Sequence, residues 1–371
     1  MFTISERKNY LFQLCAAVIC FICLSSENTF AKKNNEQISK SFHTAITKTV
    51  GIGGDFTTLK QAFDSINAGI FSNSLTLLLT DAAYSEPQLA LRQDSVFLSS
   101  LTITSSPGNV ATITIHYSNL DFAALKVNKI PQFILSDVIL QYAPSNHLYY
   151  ALSVFSDTTQ RTEISNVIFK GSIELTGNIS FALHNSELHT NDNVGIKMFI
   201  WKGDVVIQGN KFFGYGNTTN GIYGIAKSHN FLIENNTFAG FITAGIYLHD
   251  FQDTTGSALQ ESSFVSLQTE KEQKHYSPAK YRRRTASKIN SDQFKHTQSL
   301  IKKNTEGGLL SIRNNTISVV GAQELCGGIY VHFARTDNIE ISHNNITSET
   351  YNKFGILVYV LDSCQFITAD S

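Results

Sequence analysis

Apolar residues along this chain of 371 residues fall in short runs and not in helical stripes, and from residue 195 onward two kinds of run alternate. One kind opens on a glycine-isoleucine pair: Gly195-Ile196, Gly221-Ile222, Gly245-Ile246, Gly328-Ile329 and Gly355-Ile356. The other ends in asparagine: Ile207-Gln208-Gly209-Asn210, Ile233-Glu234-Asn235-Asn236, Ile312-Arg313-Asn314-Asn315 and Ile341-Ser342-His343-Asn344. Successive Gly-Ile pairs are 26, 24, 83 and 27 residues apart, and successive asparagines 26, 79 and 29. Such a period describes one coil stacked on the next, each able to bury its apolar face only against its neighbours. The pattern predicts an all-β, single-stranded parallel β-solenoid.

Strand alternation then assigns directions. Ile222, Ile246, Ile329 and Ile356 point inward, as do Leu248, Val331 and Val358 two residues later. Asn210, Asn236, Asn315 and Asn344 stand at a turn, where stacked amides hydrogen-bond along the solenoid axis as in cross-β ladders. Fainter coils with β-branched runs between turn residues cover 101–116, 133–141, 161–169 and 179–188. On this reading the solenoid starts near residue 75.

Both spacing series contain one long step in the same place. Removing an ordinary coil of about 26 residues leaves roughly 55 between Phe251 and Gly307. Ten lysines and arginines there, among them Lys271, Arg282, Arg283, Arg284 and Lys303, outnumber six acidic residues, and apolar periodicity vanishes. Residues 252–306 therefore read as a basic, solvated, disordered loop inserted into the solenoid.

The segment from Val50 to Phe63, with Gly54-Asp55-Phe56-Thr57-Thr58 at its centre, resembles the opening of pectin methylesterases and other pectin-lyase-like proteins. In that family a G-D-F-x-T stretch leads into a short helix that caps the coil. The residues themselves agree: Thr57 or Thr58 is a suitable N-cap, Leu59, Ala62, Phe63 and Ile66 share one face, and Asn67-Ala68-Gly69 is a stop. Asp81-Ala82-Ala83-Tyr84-Ser85-Glu86 is similar to the family's G-x-Y-x-E turn, with alanine for glycine. The resemblance implies a right-handed parallel β-helix with an N-terminal capping helix, and a role toward polysaccharide. It does not extend to esterase chemistry. That needs a D-F-x-F-G aspartate, a Q-D aspartate and a G-R-x-W arginine, whereas Asp250-Phe251 is followed by Gln252-Asp253 and the single tryptophan, Trp201, has no arginine two residues before it.

Residues 1–31 carry Arg7 and Lys8, an apolar run from Tyr10 to Leu24 and then Thr29-Phe30-Ala31, the pattern of a secretory signal. The run does not supply the approximately 20 apolar residues of a membrane span. Residues 32–49 read as a linker and 50–371 as one β-helix domain, at the cell surface, in the periplasm or secreted. The mature chain keeps Cys326 and Cys364, either paired or as two buried thiols. A net charge of −1 with 16% charged residues provides no field for nucleic acid. No polar helix or charged strand caps the last coil, so its open sheet edge suggests either self-association or an incomplete sequence.

Outward positions on the Gly-Ile strands line up as two columns. Lys197, Tyr223, Tyr247, Tyr330 and Leu357 form one; Phe199, Ile225, His249, His332 and Tyr359 form the other. Rings repeated about every 4.8 Å offer support for a sugar chain, so Tyr223, Tyr247, His249, Tyr330 and His332, with Asp250 and Arg335 at the rim, form the candidate glycan site. The alternative is a purely structural side-chain ladder. Two histidines with no third ligand do not make a zinc site, and no cofactor is expected. As a binding or adhesion module the protein needs only this stripe. As a polysaccharide lyase or glycoside hydrolase it needs an ionisable constellation that the sequence does not display.

Overall fold

The computed structural model describes residues 45–91, 97–116, 123–142, 150–216, 218–226, 230–249, 309–320, 327–335, 338–348, 354–363 and 366–369. The signal segment 1–31, the insertion 252–306, Asp250, Cys326 and Cys364 lie outside them.

Every strand pairing among the described residues is parallel, and each full coil contributes three strands. In one such coil they are Asn220–Ala226, Asn230–Glu234 and Thr237–Phe241. The first face of the solenoid carries the Gly-Ile strands and the second the strands that lead to asparagine. The third face is a separate nine-stranded sheet. The first two merge into one 18-stranded sheet because Tyr150–Ser165 and Ser172–His184 run through the corner without breaking.

The corner between second and third faces explains why the sequence suggests only two strands. A single residue makes the turn there, with positive φ: Asp137, Asn166, Asn185, Gly209, Asn235, Asn314 and His343 stack at this position with φ between 49° and 70°. Left-handed backbone favours Gly, Asn and Asp. The third strand starts one or two residues later, and at Asn210, Asn236, Asn315 and Asn344, between the left-handed residue and the strand, the amide turns inward. Each of the first three donates from Nδ2 to Oδ1 of the next asparagine, at 2.9–3.0 Å. Each of those Oδ1 atoms also accepts from the backbone N–H one coil back, at 2.9–3.0 Å. The expected ladder is present, and Ser186 extends it by donating its N–H to Asn210 Oδ1. All four amides are buried yet hydrogen-bonded, as burial in an apolar tube requires.

Inside the tube, Ile222, Ile246 and Ile329 are fully buried in one column, and Leu248 and Val331 in the next. Phe212 and Phe238 stack on the third face with centroids 4.5 Å apart and planes 6° from parallel.

The solenoid begins earlier than residue 75. Ile46–Val50 pairs in parallel with Ser74–Leu79, from Ile46 opposite Leu75 to Val50 opposite Leu79, so the last residues of the segment read as a linker already belong to the first coil. The helix Leu59–Asn67 follows, with Thr58 as N-cap, accepting from Gln61 N–H, and Leu59, Ala62, Phe63 and Ile66 buried. Asp55 clamps the turn before it: its carboxylate accepts from Lys48 Nζ, Thr49 N and Thr49 Oγ1 at 2.8–2.9 Å. The Lys48 and Thr49 hydrogen bonds hold its pKa down at about 2. Glu86, buried on the first strand of the third face, accepts from the N–H groups of Leu59 and Lys60 at 2.7 and 3.1 Å, which places a carboxylate on the positive end of the helix.

Candidate functional site

The tyrosine column is positioned by the glycine two residues before each ring. A Cβ on Gly221 would stand 2.6 Å from the Phe238 ring, and one on Gly245 would stand 2.5 Å from Ile317 Cγ2. These glycines let side chains of the third face pack against the first strand at the corner. Isoleucine then seats inward and tyrosine outward.

Tyr223, Tyr247 and Tyr330 are in direct register and form a continuous stack. Centroids are 5.4 Å apart for Tyr223 and Tyr247, with planes at 21°, and 4.5 Å apart for Tyr247 and Tyr330, with planes at 11°. Burial pushes the Tyr247 phenol up to about 12, helped by the neighbouring phenols Tyr330 and Tyr223 and by the hydrogen bond with Tyr330. The rings therefore turn their faces to one another. What the row offers a ligand is ring edges and hydroxyls, not the open ring faces expected from the sequence.

His249 differs from expectation in a second way. Although it occupies an outward position, it is only 2% exposed and lies against Tyr223, 5.0 Å between centroids, and Tyr247, 5.6 Å. It supports the row from beside it. His332 and Arg335 are placed on the strand Gly327–Arg335, His332 opposite His249. Below the tyrosines the same column continues as Lys197, whose ammonium sits 4.9 Å from the Phe199 ring centroid, and Glu174, which accepts from Ser153 Oγ.

The third face carries a second outward cluster that the sequence reading did not identify. His189 stacks on Phe213, 4.8 Å between centroids and 22° between planes, and its Nδ1 lies 2.9 Å from the Tyr215 hydroxyl. Glu187 reaches His189 Nε2 at 3.6 Å and accepts from Lys211 Nζ at 2.9 Å. The His189 hydrogen bond first, and then Lys211, hold the Glu187 carboxyl at about 2 against its partial burial. The signal was present in the sequence: Glu187 and His189, like Lys211 and Phe213, alternate directly after the corner residues Ser186 and Asn210.

Residues 143–271 match a family model described as the right-handed β-helix region. The stacked parallel coils on either side of that stretch give the chain the fold of a parallel β-helix. Among solved structures it is similar to a pectin methylesterase from Aspergillus niger, at 14% identity and a TM-score of 0.35, over 58% of this chain and 83% of that one. No curated protein sequence matches it. Among the described residues no helix is long and apolar enough to cross a membrane.

Proposed function

We propose that the protein is an exported β-helix that binds polysaccharide along its first face, at Tyr223, Tyr247 and Tyr330, with His332, Asp250 and Arg335 as further candidate contacts and His249 supporting the rings from beside them. The observation that carries this reading is the coil-to-coil row of three stacked phenols, a repeating line of hydroxyls on a rigid sheet. A glycan chain, itself a repeat of hydroxyl-bearing rings, suits such a row when it lies along the solenoid axis. Pre-stacked rings need no reordering on binding, which lowers the entropic cost.

Because the ring faces are already occupied, the informative substitution is Tyr→Phe. Polysaccharides are screened for binding to the full chain and, in the same wells, for new reducing or unsaturated ends. The reading expects binding without new ends, and loss of binding in the Tyr247→Phe/Tyr330→Phe variant, in which the stack survives. New unsaturated ends would assign lyase chemistry instead. Binding that the double variant leaves unchanged would remove the row from the site. Export is tested separately by N-terminal sequencing of material from outside the cytoplasm, which on this reading starts near Lys32.

A further inference from the structure

We infer that the third face holds a second, separate carbohydrate site, a slot over Ala239 that accepts one neutral pyranose ring against Phe213. The register places Lys170, His189, Phe213, Ala239, Ser318 and Thr347 in one outward column. Rings fill two consecutive positions, His189 and Phe213, at 4.8 Å, the spacing of the coils themselves. At the next position the stack stops, because Ala239 has no ring and Ser318 beyond it is also small. The far face of Phe213 thus borders a gap of the height that a ring of the same stack would occupy. Phe213, Ala239 and Ser318 are each partly exposed, so the gap opens to solvent.

The slot's surroundings choose the ligand. Its wall is the flat apolar face of Phe213, which matches the C–H face of a pyranose. The adjacent outward column, Glu187, Lys211, Thr237 and Thr316, supplies hydroxyls and a pre-formed carboxylate–ammonium pair. Since Glu187 already neutralises Lys211, this rim donates and accepts hydrogen bonds without net charge, which favours sugar hydroxyls over a uronate or sulfate. A register shift between Ala239 and Phe241, around Gly240 at φ 83°, fixes the backbone at the floor of the slot.

The test is calorimetric titration of the full chain with cellohexaose, a neutral pyranose oligomer. Phe213→Ala is expected to weaken binding by about tenfold or more, and Phe213→Trp to retain it. Ala239→Phe places a protein ring in the slot, continuing the stack; it is expected to abolish binding while leaving the melting temperature unchanged or higher, so the test stands even if Phe213→Ala folds poorly. The first-face variant Tyr247→Phe/Tyr330→Phe is expected to bind cellohexaose as the parent does. The inference is overturned if Ala239→Phe binds as well as the parent, if the tyrosine variant alone loses binding, or if the parent takes up no cellohexaose while still binding another glycan through the tyrosine row.

Discussion

Asn236 and Asn315 are 79 residues apart in the chain, yet Asn236 Nδ2 donates to Asn315 Oδ1 at 3.0 Å, as close as Asn210 is to Asn236 across an ordinary coil. The insertion between them leaves the amide ladder unbroken. Asn236 makes four such bonds, donating also to Ile207 O and accepting from the backbone and side-chain N–H groups of Asn210. Asn236→Ala would strand buried partners on both sides. The expected loss is at least about 2 kcal/mol in urea unfolding, since each orphaned buried group costs about 1–3 kcal/mol. Asn344→Ala, which removes fewer of these bonds among the described residues, is expected to cost less.

The same continuity predicts that removing residues 253–306 leaves a folded solenoid. Phe231 pairs with Leu310 and Tyr247 with Tyr330 in the register that uninterrupted coils use. Lengthening or shortening a loop changes closure entropy only logarithmically. A single cooperative unfolding transition in the deletion variant is the expected result; its loss would make the segment a structural part of the coil.

What the sequence reveals here depends on whether a residue's role is local or set by the coil beside it. Ile222, Ile246 and Ile329 and the four asparagines are legible because every coil repeats them at one period, whatever its loops do. The third strand is hidden because the turn before it is so short, the left-handed Asn235 and then Asn236, that the spacing of the repeat does not mark a separate strand. Ile46–Val50 is hidden because only Val50 is fully buried, and its partner strand starts 24 residues after it ends. The glycines before the tyrosines look like turn signals, and only the Phe238 and Ile317 side chains from the third face show that they provide room. Alternation correctly gives Tyr247 an outward direction. It says nothing of whether the ring face is covered, and the neighbouring tyrosines cover it.

Glu187 gives the third face an acid limit. Its carboxyl, ordinarily near 4.5, is held at about 2 in the fold. A depressed folded-state pKa means stability that is present above the ordinary value and lost as pH falls through the folded one. Melting temperature measured from pH 5 to pH 2 is expected to fall less steeply in Glu187→Gln than in the parent, while at neutral pH the variant starts lower. Parallel curves for the two proteins would show that the Glu187, His189 and Lys211 network contributes nothing to folding.

Tyr247 gives the first face the opposite limit. Its phenol is raised from 10 to about 12, chiefly because burial disfavours the phenolate. A raised folded-state pKa in an acid means stability that is fully present below pH 10 and lost as pH climbs through about 12, where the unfolded chain ionises first. Burial also raises Tyr84 and Tyr142, so phenolate absorbance is expected to show several tyrosines titrating late, and Tyr247→Phe is expected to reduce that late step and flatten the alkaline loss of stability. Phenylalanine keeps the stack with Tyr223 and Tyr330, so its melting temperature at neutral pH should stay close to the parent's, whereas truncating the inward neighbour Ile246 to alanine should cost about 2–5 kcal/mol. A Tyr247 that ionises near pH 10 in the folded protein would mean that the row stands open to water.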